Sequence, residues 1–355
     1  IMGVSALVFT LNYSGNLLYS FFSAREFLLA FAGPGIYLLC RCGLPLHWVR
    51  RVFWAALVAL MLNYLFFYFT MDLRAAFFSS DHTISNLVTY DEWRGFRLKP
   101  PLFAMMVAIM AAVALVVQSR RMSITLAALA VVALGAFIWS IVLFRATLAT
   151  MLLSIALYPL LLCHKQRVQL VLVAAPLLLL IAPVALSMVM EHFLAADGGS
   201  IRAKAFALAL EHIPRHALLG AGEDSAYGQS YQDIVAPYFY PSDLGLVGTC
   251  YKYGLVGIAL YLGMHGKIWV NLWRANIEHR DRTGAVEPLL WALLMFMTAQ
   301  SFNLMLNPGL AYAQGMTLGT VALALAKLGL QERVSYSAMQ YKTQNELQNA
   351  TQALE

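Results

Sequence analysis

Residues 122–163 contain a single charged side chain, Arg145. Two apolar runs, LGAFIWSIVLF and ATLATMLLSIALY, stand on either side of it. A helix that crosses a bilayer needs about 20 mostly apolar residues. Runs of that kind recur along the chain, near 3–21, 27–41, 52–70, 102–118, 123–144, 146–162, 168–188, 244–264, 286–305 and 310–328. The second and sixth are short enough to be tilted, half-inserted or partly re-entrant, so about ten transmembrane helices are expected. Across 355 residues, 61% are apolar and only 12% charged. A soluble domain carries about 45–50% and about 25%. A soluble enzyme, a secreted disulfide domain and a disordered chain are thereby excluded. The fold class is all-α, a polytopic membrane protein.

Lys and Arg in the short loops set the orientation. Alternate connections carry Arg41, Arg50 and Arg51; Arg120 and Arg121; Lys165 and Arg167; and Lys267, Arg274, Arg280 and Arg282. Those 11 basic residues share their loops with two acids, Glu278 and Asp281, whereas the opposite loops hold 12 of the 18 acids and nine basic residues. The basic loops are therefore expected in the cytoplasm, with the long loops 71–101 and 189–243 outside. The net charge of +6 is mostly an orientation signal, and nucleic acid is not an expected partner. Cys40, Cys42, Cys163 and Cys250 fall in spans or at cytoplasmic ends, and Cys40-x-Cys42 is too isolated for a zinc site. Ile1 lies inside an apolar run and is not an initiator Met, so a preceding N-terminal piece is expected. No signal peptide with a small-residue cleavage site is visible. No repeat supports an inverted-repeat transporter.

The chain accordingly divides into 1–188, spans one to seven with outer loop 71–101; 189–243, an outer loop; 244–330, spans eight to ten; and 331–355, a polar cytoplasmic tail. Loop 189–243 is far longer than a connection requires. Within it IRAKAFALALEHI, residues 201–213, places Phe206, Leu210 and Ile213 on one helical face, one turn beyond Arg202. Pro214 stops that helix. An amphipathic helix lying on the membrane surface fits. The turn LLGAGED follows, with Gly220 and Gly222 ahead of Glu223 and Asp224. Asp243 stands at the outer mouth of the next span. Gly245, Gly248, Gly254 and Gly257 would let a helix or lipid tail approach. Lys252 lies nine residues on, roughly 13 Å deeper, to snorkel, pair with an acid or face a cavity. Arg145, with no acid beside it, is either a snorkelling turn residue or a functional one. A lipid-linked diphosphate would match its guanidinium. In loop 71–101 the mixed charges of Asp72, Asp81, His82, Asp91, Glu92, Trp93, Arg94 and Arg97 fit a lid, part of a glycan groove or a solvated surface.

In this order the pieces resemble the O-antigen ligase and polymerase superfamily, the Wzy/WaaL-type integral membrane glycosyltransferases. The resemblance covers roughly residues 20–330. It rests on Arg145 in FRATLATMLL and on the long loop with Arg202, Phe206, Gly220 and Gly222. The polar pair before a Gly-x-x-Gly span (Gly254, Gly257) and Arg25 in SAREFLLAFAGPGIYLL complete it. Phe206 stands where the family has Trp, and Ala217 where it has Pro. WaaL-type ligases carry a His in the polar pair. YPSD occupies that place here, which is closer to Wzy-type polymerases, although His192, His212 and His216 remain in the loop.

The resemblance implies a GT-C-like fold in the bacterial inner membrane. It also implies inverting, metal-independent transfer of a polyprenyl-diphosphate-linked glycan, without cofactor, to a sugar hydroxyl of a second lipid-linked unit. Membrane lipids and a chain-length regulator are the further candidate partners. Charge on the leaving diphosphate needs stabilisation, for which Arg145 and Arg202 are the candidates, with Arg25 or Arg215 as helpers. The acceptor hydroxyl needs a base. Asp243 is the first candidate, with Glu223 and Asp224 behind it. Tyr240 and Lys252 are further substrate-binding candidates. Trp93, Tyr227, Tyr231, Tyr238 and Tyr240 offer sugar-stacking faces or an interfacial belt. Two alternatives stay open, a ligase to lipid A core or protein (with the related peptidoglycan polymerases) and a transporter of lipid-linked sugars.

Overall fold

A computed structural model describes residues 2–13, 16–85, 87–91, 95–142, 145–156, 197–224, 230–304 and 309–331. The expected span 168–188 and the tail from residue 332 lie outside the described residues. Among the described residues the protein is mostly helical, with one two-stranded sheet. Four helical segments, Leu46–Thr70, Met122–Val142, Pro241–Thr283 and Ala313–Gln331, are long and apolar enough to cross a membrane. Shorter apolar helices include Leu102–Gln118, Thr147–Ala156 and Pro288–Phe302. The chain is a membrane protein. It folds as two compact units, one of Ile1–Phe31, Phe144–Lys267 and Met295–Gly319, the other of Ala32–Leu143, Ile268–Leu294 and Thr320–Glu355.

In the second unit Leu46–Thr70, Leu102–Gln118 and Met122–Val142 pack against one another. Leu102–Gln118 is buried on nearly every side, as expected for a helix apolar all round. Loop 71–101 is a folded piece. Asp72 caps Leu73–Phe77 by accepting from the amides of Arg74 and Ala75 at 3.0 Å. Val88–Asp91 then pairs antiparallel with Gly95–Leu98. Phe77, Phe78, Tyr90 and Phe96 cluster around this hairpin. Arg97 donates to the Val142 carbonyl at 3.2 Å, which fastens it to a helix end. His82, Asp91, Glu92, Trp93 and Arg94 have side chains outside the described part.

The first unit departs from the expected spans. Residues 3–21 do not form one helix: Met2–Tyr13 ends before Asn16, whose Oδ1 accepts from the amides of Leu18 and Tyr19 to start Leu17–Ser23. A side-chain acceptor at that place competes with helix continuation. A 3-10 segment, Ala24–Phe31, runs directly into Ala32–Arg41, so Leu28–Arg41 is one short apolar helix, close to the expected 27–41. Met2–Tyr13 packs through Phe9 and Tyr13 into a core built from the long loop. Tyr231 is the hub of that core, edge-on to Phe9, Tyr13, Phe239 and Tyr251 at 5.2–6.1 Å. Each such aromatic pair adds about 0.5–1.5 kcal/mol beyond its buried area.

Candidate functional site

The site begins with a break in a helix. The helix Gly245–Thr283 is interrupted at Gly254, where φ is 65° and ψ −167°. Leaving the helical path there strands carbonyls before the break and amides after it. Buried backbone groups require partners, most of all where water is absent. Loop residues 217–222 supply them. Leu255 N donates to Ala217 O at 2.8 Å and Val256 N to Leu218 O at 3.2 Å, while Ala221 N donates to Tyr251 O at 2.7 Å and Gly222 N to Lys252 O at 2.9 Å. The Gly-x-Gly turn is thus a clamp laid across the break. Gly220, at φ 76°, runs so close to the Lys252 backbone that a Cβ would collide with it. Gly248 likewise meets the Pro241 carbonyl. Of the glycines expected to admit a second helix or a lipid tail, Gly254 meets loop residues Leu218 and Gly220, and Gly248 meets the turn at Pro241.

Exposure along this helix changes at the break. Residues 244–254 are largely buried, and exposed large apolar side chains begin with Leu255 and Val256 and continue through Leu260, Leu262 and Val270. A straight helix of 39 residues would be about 58 Å long, nearly twice the bilayer's hydrocarbon core of about 30 Å. Lys252 lies in the loop-packed part of the helix, just ahead of the break.

The clamp brings three expected residues together. Glu223 engages the Lys252 ammonium with one carboxylate oxygen and accepts from the Tyr253 hydroxyl with the other. Asp224 Oδ1 lies 3.3 Å from the same ammonium, and its Oδ2 accepts from Tyr231 N at 3.3 Å. The Lys252 and Glu223 side chains are only 15% and 16% exposed, so this pair resists solvent screening more than a surface pair does. Of the alternatives for Lys252, pairing with acids is the one observed. Tyr231 donates its hydroxyl to Gly222 O at 2.6 Å. Burial, then Tyr251 and Asp224, push its phenol well above the ordinary range. Tyr231 is a core residue and offers no face to a sugar. Tyr238 and Tyr240 are exposed, while Tyr227 lies outside the described residues.

A second set of contacts gathers around the polar turn. Asp243 is exposed on the 3-10 turn Pro241–Leu244. The Asp197–His212 helix, which carries Arg202, packs against this turn. Tyr312 donates its hydroxyl to Ser242 O at 2.9 Å, and Leu246 N donates to Leu304 O at 3.0 Å. Next to Leu304, the buried Asn303 donates to Thr150 Oγ1 at 3.0 Å, on the Arg145–Ala156 helix. The elements that carry Arg145, Arg202 and Asp243 thus meet in one unit through a chain of named contacts. The side chains of Arg25, Arg145 and Arg202 lie outside the described part, and Arg215 is exposed on the turn Ile213–His216. Asn303, Tyr312 and Tyr253 were not singled out from the sequence. Only the adjacency of Tyr253 to Lys252 and Gly254 pointed to any of them. Among the described residues no three His, Cys, Asp or Glu side chains gather closely enough to hold a metal ion.

The Arg202 helix turns its small-residue face inward. Ala205 and Ala209 enter the aromatic core, whereas Phe206 and Leu210 are 39% and 49% exposed. Small side chains allow close approach to the rings, and the large ones are left as an outward apolar stripe. With exposed Leu218 and Leu219 that stripe suits an interfacial seat.

His216 accepts Gly220 N through its carbonyl at 2.8 Å. Burial, then His212 and Arg215, hold its imidazole below the model-peptide value of 6.5. Below that value the unfolded chain takes up a proton that the folded state resists, so stability falls as pH drops through it. We expect His216→Gln to flatten the acid-side fall of the thermal midpoint between about pH 7.5 and 5.5. Identical slopes for the two proteins would refute the assignment. No family profile and no curated protein sequence matches this chain.

Proposed function

We propose that the protein is a Wzy-type polysaccharide polymerase of the bacterial inner membrane, a GT-C-like enzyme of about ten spans with its site facing the periplasm. It transfers a polyprenyl-diphosphate-linked glycan, of O-antigen or exopolysaccharide type, to a sugar hydroxyl of another lipid-linked unit. The supporting observation is that Arg202's helix, Asp243's turn and Arg145's helix are linked within one unit, with the Gly-x-Gly turn clamped onto the helix that follows Asp243. In this reading Asp243 takes the proton of the acceptor hydroxyl as it attacks the anomeric carbon. Arg145 and Arg202 stabilise the departing diphosphate, and a single displacement inverts the centre. Glu223, Asp224 and Lys252 hold the loop that presents these groups.

One observation favours a transporter of lipid-linked sugars: an ionisable residue beside a broken helix is a transporter trait. Against it, Lys252 is paired with two acids and the break is filled by loop backbone. Glycan analysis of cells bearing Arg145→Ala, Arg202→Ala or Asp243→Ala separates the readings. Loss of a polymerase leaves single repeat units on carrier or acceptor. Loss of a ligase leaves long polymer on the carrier, and loss of a transporter leaves carrier-linked units at the cytoplasmic leaflet. Normal polymer from all three variants would sink the site assignment.

A further inference from the structure

We propose that a pocket in the second unit binds a phosphate-bearing anion, supplied by the headgroup of an acidic phospholipid or by free phosphate. The cavity, about 290 Å³, is lined by Arg50, His279, Arg282, Thr283, Leu290 and Gly329. These residues come from four helices: the start of Leu46–Thr70, the end of Gly245–Thr283, the start of Pro288–Phe302 and the end of Ala313–Gln331. Two helix N-termini and two C-termini meet there, so their partial charges largely offset. The side chains decide the sign of the site.

Two guanidinium groups and an imidazole face the cavity. Arg50 Nε is buried with no hydrogen-bond partner, a costly state for a charged donor. The neighbouring acids do not hydrogen-bond Arg50 Nε. Asp281 holds Arg280 at 2.6 Å. Glu287, the carboxylate that acts on Arg50, accepts Leu290 N at 2.6 Å. A phosphate would satisfy both guanidinium forks, whose planar geometry matches its oxygens. Leu290, Ala275 and Gly329 give the pocket an apolar side suited to a glycerol backbone. Arg50 and Arg282 both belong to the basic ends read from the sequence as cytoplasmic. Basic pockets between helices on that side suit acidic headgroups.

The test uses the purified full chain in neutral detergent, with thermal midpoint as readout. The probes are phosphatidylglycerol, phosphatidylcholine and inorganic phosphate. Phosphatidylglycerol should raise the midpoint and phosphatidylcholine should not. Arg282→Gln, at an exposed side chain, should weaken the effect roughly tenfold in lipid concentration, and Arg50→Gln/Arg282→Gln should remove it. Millimolar-scale phosphate that reproduces the shift assigns the site to the free anion. A silent phosphate arm beside an active lipid arm assigns it to the headgroup. Arg120→Gln/Arg121→Gln removes basic charge outside the pocket and should leave the response intact. The proposal is overturned if both lipids act alike and phosphate is silent, if the pocket variants respond like the parent, or if the Arg120/Arg121 variant loses the response equally.

Discussion

Gly254→Ala is expected to give little folded protein. At φ 65° and ψ −167° the residue occupies a region essentially reserved for glycine, where a side chain costs about 1–3 kcal/mol. The larger effect comes from contact. An added Cβ would collide with the carbonyl of Leu218 and approach the amide of Gly220. Both atoms are backbone, so neither can rotate away, and the loop must lift off the break. The four hydrogen bonds from residues 217, 218, 221 and 222 then fail together, each worth about 1 kcal/mol. The sum, about 5 kcal/mol, reaches the lower end of total stability for a domain. Gly263→Ala and Gly266→Ala are the controls, because a Cβ there meets nothing within 4 Å. Each should be neutral or gain up to about 1 kcal/mol of helix propensity. Monodispersity and thermal midpoint in detergent check all three, and a Gly254→Ala protein as stable as its parent would refute the clamp.

The second large effect belongs to Glu223. Glu223→Ala leaves the Lys252 ammonium and Tyr253 hydroxyl in a mostly buried place without their carboxylate. Removing one member of a buried pair costs about 3–5 kcal/mol. Asp224, still 3.3 Å from the ammonium, should hold the loss near the lower end of that range. Lys252→Met removes the stranded charge and keeps most of the side-chain volume. The double variant should therefore recover much of the loss, giving a coupling that a double-mutant cycle measures. Losses that simply add would mean that the pair is a surface-like contact with no part in seating the loop. Glycan length in the same strains adds a functional readout. If the clamp positions the site, Glu223→Ala shortens chains, and the double variant restores length along with stability.

The spans expected at 52–70, 102–118, 123–144 and 310–328 correspond closely to Leu46–Thr70, Leu102–Gln118, Met122–Val142 and Ala313–Gln331. Long uncharged runs in a membrane protein have one economical conformation, because each backbone group must be satisfied within its own segment. Residues 3–21 are divided into two helices, and the span expected at 244–264 lies within Pro241–Thr283 but is broken at Gly254 and buried ahead of the break. Hydropathy reports that a side chain avoids water, and lipid and an aromatic core serve that avoidance equally. Phe9 and Tyr251 chose the core. The polar stretch around Asn16 was the local sign that the first run would be interrupted.

At the candidate site, residue types and their order were legible. Glu223 and Asp224 after the Gly-x-Gly turn, Lys252 before Gly254 and Asp243 at a helix start all read as polar groups with something to do. Their partners were not legible, since Glu223 and Lys252 are 29 positions apart and no periodicity links a loop to a helix at that distance. By itself the sequence determined that this chain lives in a membrane, that it is helical, and where its scarce charges stand. Tertiary structure alone decided that Gly254 receives a loop, that Ala205 and Ala209 turn inward, and that Lys252 has its counter-charges. Those outcomes depend on which backbone groups lose their partners at the Gly254 break and on which loop is near enough to replace them.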